Sequence, residues 1–236
     1  MSYFDIYRNQ VRKLQPGSFS RLALVQNYFP WKNSMMPGKN PLNDGMPWMT
    51  FDAIRFLKKN LKKNMKVFEY GSGGSSVFFS KQAGEVISIE HNKEWFTLVK
   101  KYMDDHSVHN WTGMLCEAEL SRIENLDPSD PDGCVSSDAQ YRNCSFKKYV
   151  ESINQYPDGF FDLVVVDGRA RPSCIKHAIS KLKTGGYILL DNSDREHYQK
   201  AITECMTDGF VTEVGTFGPT SYSEDFTQTL IRRKLS

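Results

Sequence analysis

The residues able to do chemistry fall at the ends of apolar runs. Glu69-x-Gly71-x-Gly73-x-Ser75 follows one such run, with Ser72 and Ser76 filling the loop. Glycines let a chain turn sharply and bring free backbone N–H groups close to a ligand. Nineteen residues after Gly71, the run Glu85-Val86-Ile87-Ser88-Ile89 ends in Glu90. A carboxylate at that offset can accept hydrogen bonds from both hydroxyls of a ribose. Loop and acid together point to a nucleoside-containing ligand. A second acidic set closes two later runs, with Asp167 after residues 161–166 and Asp191-Asn192 after residues 187–190. Three oxygen ligands converging with open positions suit Mg²⁺ or another divalent cation, which would lower the pKa of a bound hydroxyl and orient it. The bland alternatives are a tight turn at residues 71–75, a loop-capping Asp167, and Asp191-Asn192 as the N-cap of the next helix.

These residues share an edge only if the elements before them belong to one sheet. Strand and helix patterns alternate from residue 66 onward. Strands are expected at 66–70, 85–90, 111–116, 161–167 and 187–191. Helices are expected at 76–82, from Asn92, at 146–153, from Pro172 to a terminator at Gly185, and at 195–207. Two last strands, 210–217 and 227–232, would be joined by a Gly218-Pro219 loop. Such alternation predicts an α/β fold with a mostly parallel central sheet flanked by helices. Ligands then bind at the carboxyl ends of the strands, where Gly71, Glu90, Cys116-Glu117, Asp167 and Asp191 all lie.

The chain divides into an N-terminal extension, 1–50, and a domain, 51–236. The extension reads as a short helix over Tyr3–Leu14 and then a Pro/Gly-punctuated loop. Its Phe29, Trp31, Met35, Met46 and Trp48 are too apolar for a free linker, so it is expected to pack on the core, either as a strap or as a cover for the active site. Thr50 is the expected N-cap of a helix reaching Lys63. Residues 119–145 have neither period and read as a loop insertion near the substrate pocket, with Tyr141 and Arg142 as contacts.

The segment from Glu69 to Ser75 resembles the first motif of class I S-adenosylmethionine (SAM) methyltransferases, E/D-x-G-x-G-x-G, with Ser75 in place of the third glycine. The resemblance implies a Rossmann-like fold over residues 65–235. It also implies SAM held by Glu69, Gly71, Ser72, Gly73, Ser75 and Glu90, with His91 and Cys116-Glu117 bordering the adenine and Asp167 as base or orienter. Asp167 and Asp191-Asn192 are similarly spaced to the acidic sets of cation-dependent O-methyltransferases of the catechol and caffeoyl-CoA type and of sugar O-methyltransferases. That likeness implies O-methylation of a small-molecule or glycan hydroxyl, with Asp167, Asp191 and Asn192 as catalytic and metal-ligating residues, and allows a homodimer. The segment Gly168-Arg169-Ala170-Arg171 is more basic than a catechol-type metal site. Its arginines either bind an anionic substrate or pair with Asp167 or Asp194. Two alternatives stand beside methyl transfer. An NAD(P)-dependent oxidoreductase is disfavoured by Ser76 at the last glycine position, and its only Tyr-x-x-x-Lys spacing, Tyr28–Lys32, lies upstream of the loop. The other is a SAM-binding module without chemistry.

Composition bounds these readings. The 236 residues are 39% hydrophobic and carry a net charge of +2, enough for a large core and no case for nucleic acid as the main partner. No signal peptide or membrane span is readable, and five cysteines without C-x-x-C spacing favour a reducing, cytoplasmic setting.

Overall fold

The computed structural model describes residues 2–121 and 127–235. Residues 122–126, within the expected 119–145 insertion, lie outside the described residues. Seven strands form the main sheet: β1 (Lys66–Tyr70), β2 (Glu85–Glu90), β3 (Trp111–Leu115), β4 (Phe161–Val166), β5 (Leu182–Leu190), β6 (Phe210–Val214) and β7 (Leu230–Lys234). Their order is β3-β2-β1-β4-β5-β7-β6. The first five run parallel, and β7 is antiparallel to both of its neighbours. The fold is the α/β, Rossmann-like one.

Alternation along the strands sorts the core into two layers. Phe68, Tyr70, Val164, Val166, Ile188 and Leu190 face one side, and Val67, Leu163, Val165, Leu189 and Ile231 face the other. The helices are α1 (Tyr3–Lys13), α2 (Arg21–Ser34), α3 (Pro41–Asp44), α4 (Phe51–Asn60), α5 (Gly74–Gln82), α6 (Lys93–Asp105), α7 (Lys147–Glu151), α8 (Arg171–Lys181) and α9 (Gln199–Cys205). Side chains of α7, α8 and α9 cover the first layer, and those of α1, α2, α4 and α5 cover the second.

Several local expectations are corrected. The extension holds a second helix, α2, instead of a loop. Ser20 caps it by accepting the Ala23 N–H, and Pro30 sits inside it. Helix α4 stops at Asn60, and the Thr50 side chain makes no cap bond. Gly185 does not close a helix; α8 ends at Lys181, and Gly185, at φ +80°, lies inside β5 where the register with β4 slips. The 195–207 helix splits into a 3₁₀ turn, Glu196–Tyr198, and α9. Gly218-Pro219 is no joining loop: Phe217–Pro219 pairs with Phe226–Gln228 as a small hairpin between β6 and β7.

The extension is anchored by Trp31. Its ring is fully buried against Tyr7 and Tyr3, and Nε1 donates to the Ser223 carbonyl at 2.7 Å. Trp31→Ala should therefore cost about 3–5 kcal/mol in urea unfolding. Phe29→Ala, at a side chain 74% exposed, should stay within about 0.5 kcal/mol. Equal effects of the two substitutions would contradict this packing.

Candidate functional site

Two loops meet at the carboxyl edge of the sheet. Gly71, directly after β1, has φ +98°, and its N–H donates to the Ile89 carbonyl at 2.8 Å. A Cβ on Gly71 would lie 3.2 Å from the Gly168 backbone, and one on Gly168 would lie 1.9 Å from the Tyr149 hydroxyl. The loops after β1 and β4 thus approach closely at Gly71, whose φ also disfavours any side chain, while Gly168 leaves room for the Tyr149 hydroxyl. Gly73 packs on the Trp95 indole, and Trp95 Nε1 donates to the Ser72 carbonyl at 2.6 Å. The first turn of α6 therefore fixes the glycine loop.

Glu69 lies behind that loop. Its side chain is fully buried and does not line the cleft. Ser76 and Ser88 hydroxyls donate to Oε2 at 2.5 and 2.7 Å, and Oε1 has no partner among the described residues. Ser76 Oγ also accepts the Gly73 N–H at 3.0 Å, so Glu69 shapes the loop through Ser76. Burial pushes its carboxyl up to about 7 against the opposing pull of the serine hydroxyls.

Glu90 has the opposite environment. Its carboxylate accepts the backbone N–H groups of Ser72, His91 and Asn92 at 2.8–3.0 Å and the Ser72 hydroxyl at 3.2 Å. His91 Nδ1 lies 2.8 Å away. Burial pushes Glu90 up, but the bonds from His91, Asn92 and Ser72 outweigh it and hold the carboxyl below its ordinary range.

Asp167, at the end of β4, and Asp191, at the end of β5, are tied by Arg171. This guanidinium is buried and donates to Asp167 Oδ1 (3.0 Å), to the carbonyls of Gly168, Asp167 and Asp191 (2.5–3.1 Å) and to Asn192 Oδ1 (3.3 Å). Thr229 donates to Asp191 Oδ1 at 2.7 Å. Desolvation, and then the neighbouring Asp191 carboxylate, raise Asp167; desolvation also raises Asp191, opposed first by Arg171. Of the Asp167, Asp191 and Asn192 oxygens expected to hold a divalent cation, Arg171 already engages Asp167 Oδ1 and Asn192 Oδ1, while Asp191 offers it only a backbone carbonyl and keeps its carboxylate on Thr229. A second cation there would be repelled by this guanidinium, and no acidic or histidine cluster fit for a metal occurs among the described residues.

A cleft of about 280 Å³ opens on this edge, lined among others by Gly71, Ser72, Ser75, Glu90, His91 and Asp167. Tyr141 and Trp95 also line it, and sequence reasoning had not placed Trp95 there. Tyr141 came from the insertion and packs edge-on to His91 at 5.3 Å. Glu117 is exposed and lies outside the cleft, as does Gly73, which faces Trp95. No residue of 2–50 lines it. Tyr28 and Lys32 lie on α2, away from this edge.

The residues fit a SAM-like ligand on three counts. Backbone at Gly71 and Ser72 borders the cleft, Glu90 is an ionised acceptor beside it, and the Ser72 hydroxyl is a donor that can rotate off Glu90 to free a lone pair for a ribose hydroxyl.

No protein-family model and no curated protein matches this chain. Among solved structures it is similar to a candidate methyltransferase from Streptococcus mutans in complex with SAH (S-adenosylhomocysteine), at 13% identity and TM-score 0.53, covering 78% of this chain and 96% of that one. It is also similar to a methyltransferase from Geobacter sulfurreducens, at 11% identity and TM-score 0.53, over 89% and 97% of the two chains. A candidate rRNA methylase from Clostridium thermocellum aligns at 13% identity and TM-score 0.53, over 78% and 94%. At such identities the likeness establishes the fold.

Glu69 makes a pH prediction. Between pH 4.5 and about 7 the folded chain keeps a proton there that the unfolded chain has released, so stability falls as pH rises across that window and levels off above it. Glu69→Gln removes this dependence. Relative to wild type, the variant should gain up to about 3 kcal/mol in urea unfolding on going from acid pH to pH 8. A wild-type-minus-variant difference that does not move with pH would contradict the buried, protonatable Glu69.

Proposed function

We propose that this chain is a SAM-dependent methyltransferase acting on a hydroxyl of a small-molecule or glycan acceptor. The observation that carries it is Glu90: an ionised carboxylate at the end of β2, bonded to the glycine loop after β1, in a sheet shared with methyltransferases, one of them in complex with SAH. SAM supplies a methyl group already activated on a sulfonium. The backbone at Gly71 and Ser72 with the Ser75 hydroxyl would hold its amino-acid end. Glu90 and Ser72 would hold the ribose, and His91 and Tyr141 would border the base. Glu69 and Gly73 act behind them, fixing the loop.

Asp167 is the candidate base. It lines the cleft, and its raised pKa makes its ionised form a better proton acceptor than a free aspartate. Arg171 orients its carboxylate, while Asp191 and Asn192 hold Arg171 in place and become positioning residues instead of metal ligands. The positive charge assigned from sequence to a metal is supplied by the chain itself.

The preference for oxygen acceptors rests on resemblance, and the same fold serves the candidate rRNA methylase noted above. An oxidoreductase reading finds no Tyr–Lys pair at the cleft. A SAM-binding module without chemistry would keep SAH affinity but show no turnover with any acceptor. We assign the chain to the cytoplasm on its cysteine usage. No helix among the described residues is long and apolar enough to cross a membrane.

Calorimetric titration should show SAH binding in EDTA, unchanged by added Mg²⁺. Glu90→Ala should weaken it by roughly 10–100-fold, the loss of bonds to a charged acceptor. Asp167→Asn should keep SAH affinity but slow turnover with any sugar or phenol acceptor by about 10²–10⁴-fold. Wild-type SAH affinity in Glu90→Ala would remove the ribose assignment, and Mg²⁺-dependent turnover would restore the metal.

A further inference from the structure

Beside the cofactor cleft lies a second one of about 380 Å³, and Gly168 and Arg169 line both. We propose that this second cleft holds the acceptor, and that the acceptor carries an oxyanion, phosphate or carboxylate, bound by Arg195 and Arg169. Its role as acceptor site rests on the methyltransferase reading; anion binding by the cleft does not.

The charge inventory favours an anion. Among the described residues, three guanidiniums line the cleft, those of Arg169, Arg171 and Arg195, against one carboxylate, Asp138. Arg171 is taken up by Asp167 and the strand-end carbonyls. Arg169 meets Asp138 at 3.2 Å and lies over the Tyr141 ring, and its buried Nε has no partner among the described residues. Arg195 is exposed, donates to the Tyr198 hydroxyl at 3.4 Å, and has no carboxylate partner among the described residues. Its chain neighbours Asp194 and Glu196 do not line the cleft, and Asp194 accepts the Gln228 N–H. Arg195 has no ion pair at contact distance among the described residues, and its charge reaches Asp167 and Asp191 only from farther away.

The neutral lining agrees. His197 Nε2 lies 3.0 Å from the Ser137 hydroxyl. Burial, and then the charges of Arg195 and Arg171 against that of Glu196, hold this imidazole below its ordinary pKa. Helix α8 begins on the cleft wall with no side chain capping its first turn, which adds a partial positive charge. Guanidinium forks match the oxygens of phosphate and carboxylate groups. The geometry also gives the anion a purpose. Gly168 and Arg169 line both clefts, and Asp167, next to Gly168 in the chain, lines the first, so a molecule anchored by its anion in the second cleft can present a hydroxyl to the first.

The test is calorimetric titration of inorganic phosphate, and separately of acetate, into the full chain, its Arg195→Gln and Arg169→Gln variants, with SAH titrated in parallel. At least one anion should bind the wild type, and Arg195→Gln should weaken it by about tenfold or more, the loss of one charged hydrogen bond, while SAH affinity holds. The tighter anion tells a phosphorylated acceptor from a carboxylated one. No binding of either anion, or binding indifferent to both substitutions, overturns the anion site even where SAH binds. Anion binding with no SAH binding keeps the site and removes the methyltransferase reading instead.

Discussion

The Arg171 guanidinium is the contact on which the rest of the carboxyl edge depends. It is buried between the ends of β4 and β5 and bonds both loops at once, through Asp167, Gly168, Asp191 and Asn192. Desolvation, and for Asp167 the Asp191 charge, holds both carboxyls above their ordinary range, against the downward pull of this guanidinium. The same fork fixes Gly168, and Gly168 fixes Gly71 by direct backbone approach. Position therefore passes from the β5 end to the glycine loop without any bound ion.

Burial alone does not decide what each acid on this edge can do; the donors do. Glu69 and Glu90 sit at the ends of adjacent strands and both are almost wholly buried. Glu90 is met by three backbone N–H groups and stays ionised, the form a ribose diol needs. Glu69 is met only by neutral serine hydroxyls, so burial holds its carboxyl well above the ordinary range and it serves as scaffold. Asp167 stands between these cases, with a cation on one side and the cleft on the other.

The parallel strands β2, β4 and β5 were legible because their apolar runs, rich in Val, Ile and Leu, end in an acid. Glu90 was legible for the same reason: its offset from Gly71 follows from one strand–helix–strand repeat. Helix α2 was not. It buries Leu24, Asn27 and Trp31 but exposes Leu22, Val25 and Phe29, so no polar face marks its period, and Pro30 reads as a break. Nor could spacing tell which arginine after β4 turns inward. Ala170 adopts φ +49°, a conformation costly for a residue with a Cβ, and that turn sends Arg171 into the protein while Arg169 stays at the cleft. That Arg171 bonds the Asp167 and Asn192 side chains and the Asp191 backbone carbonyl is equally invisible to spacing.

The central claim is that Glu90 and the loop after β1 form the nucleoside site. A crystal structure of the chain soaked with SAH tests it most directly. The account predicts the ribose hydroxyls within hydrogen-bonding distance of the Glu90 carboxylate, the Ser72 hydroxyl turned away from Glu90, and Arg171 still on Asp167. SAH bound elsewhere, or bound with Glu90 keeping all its present partners, would contradict it.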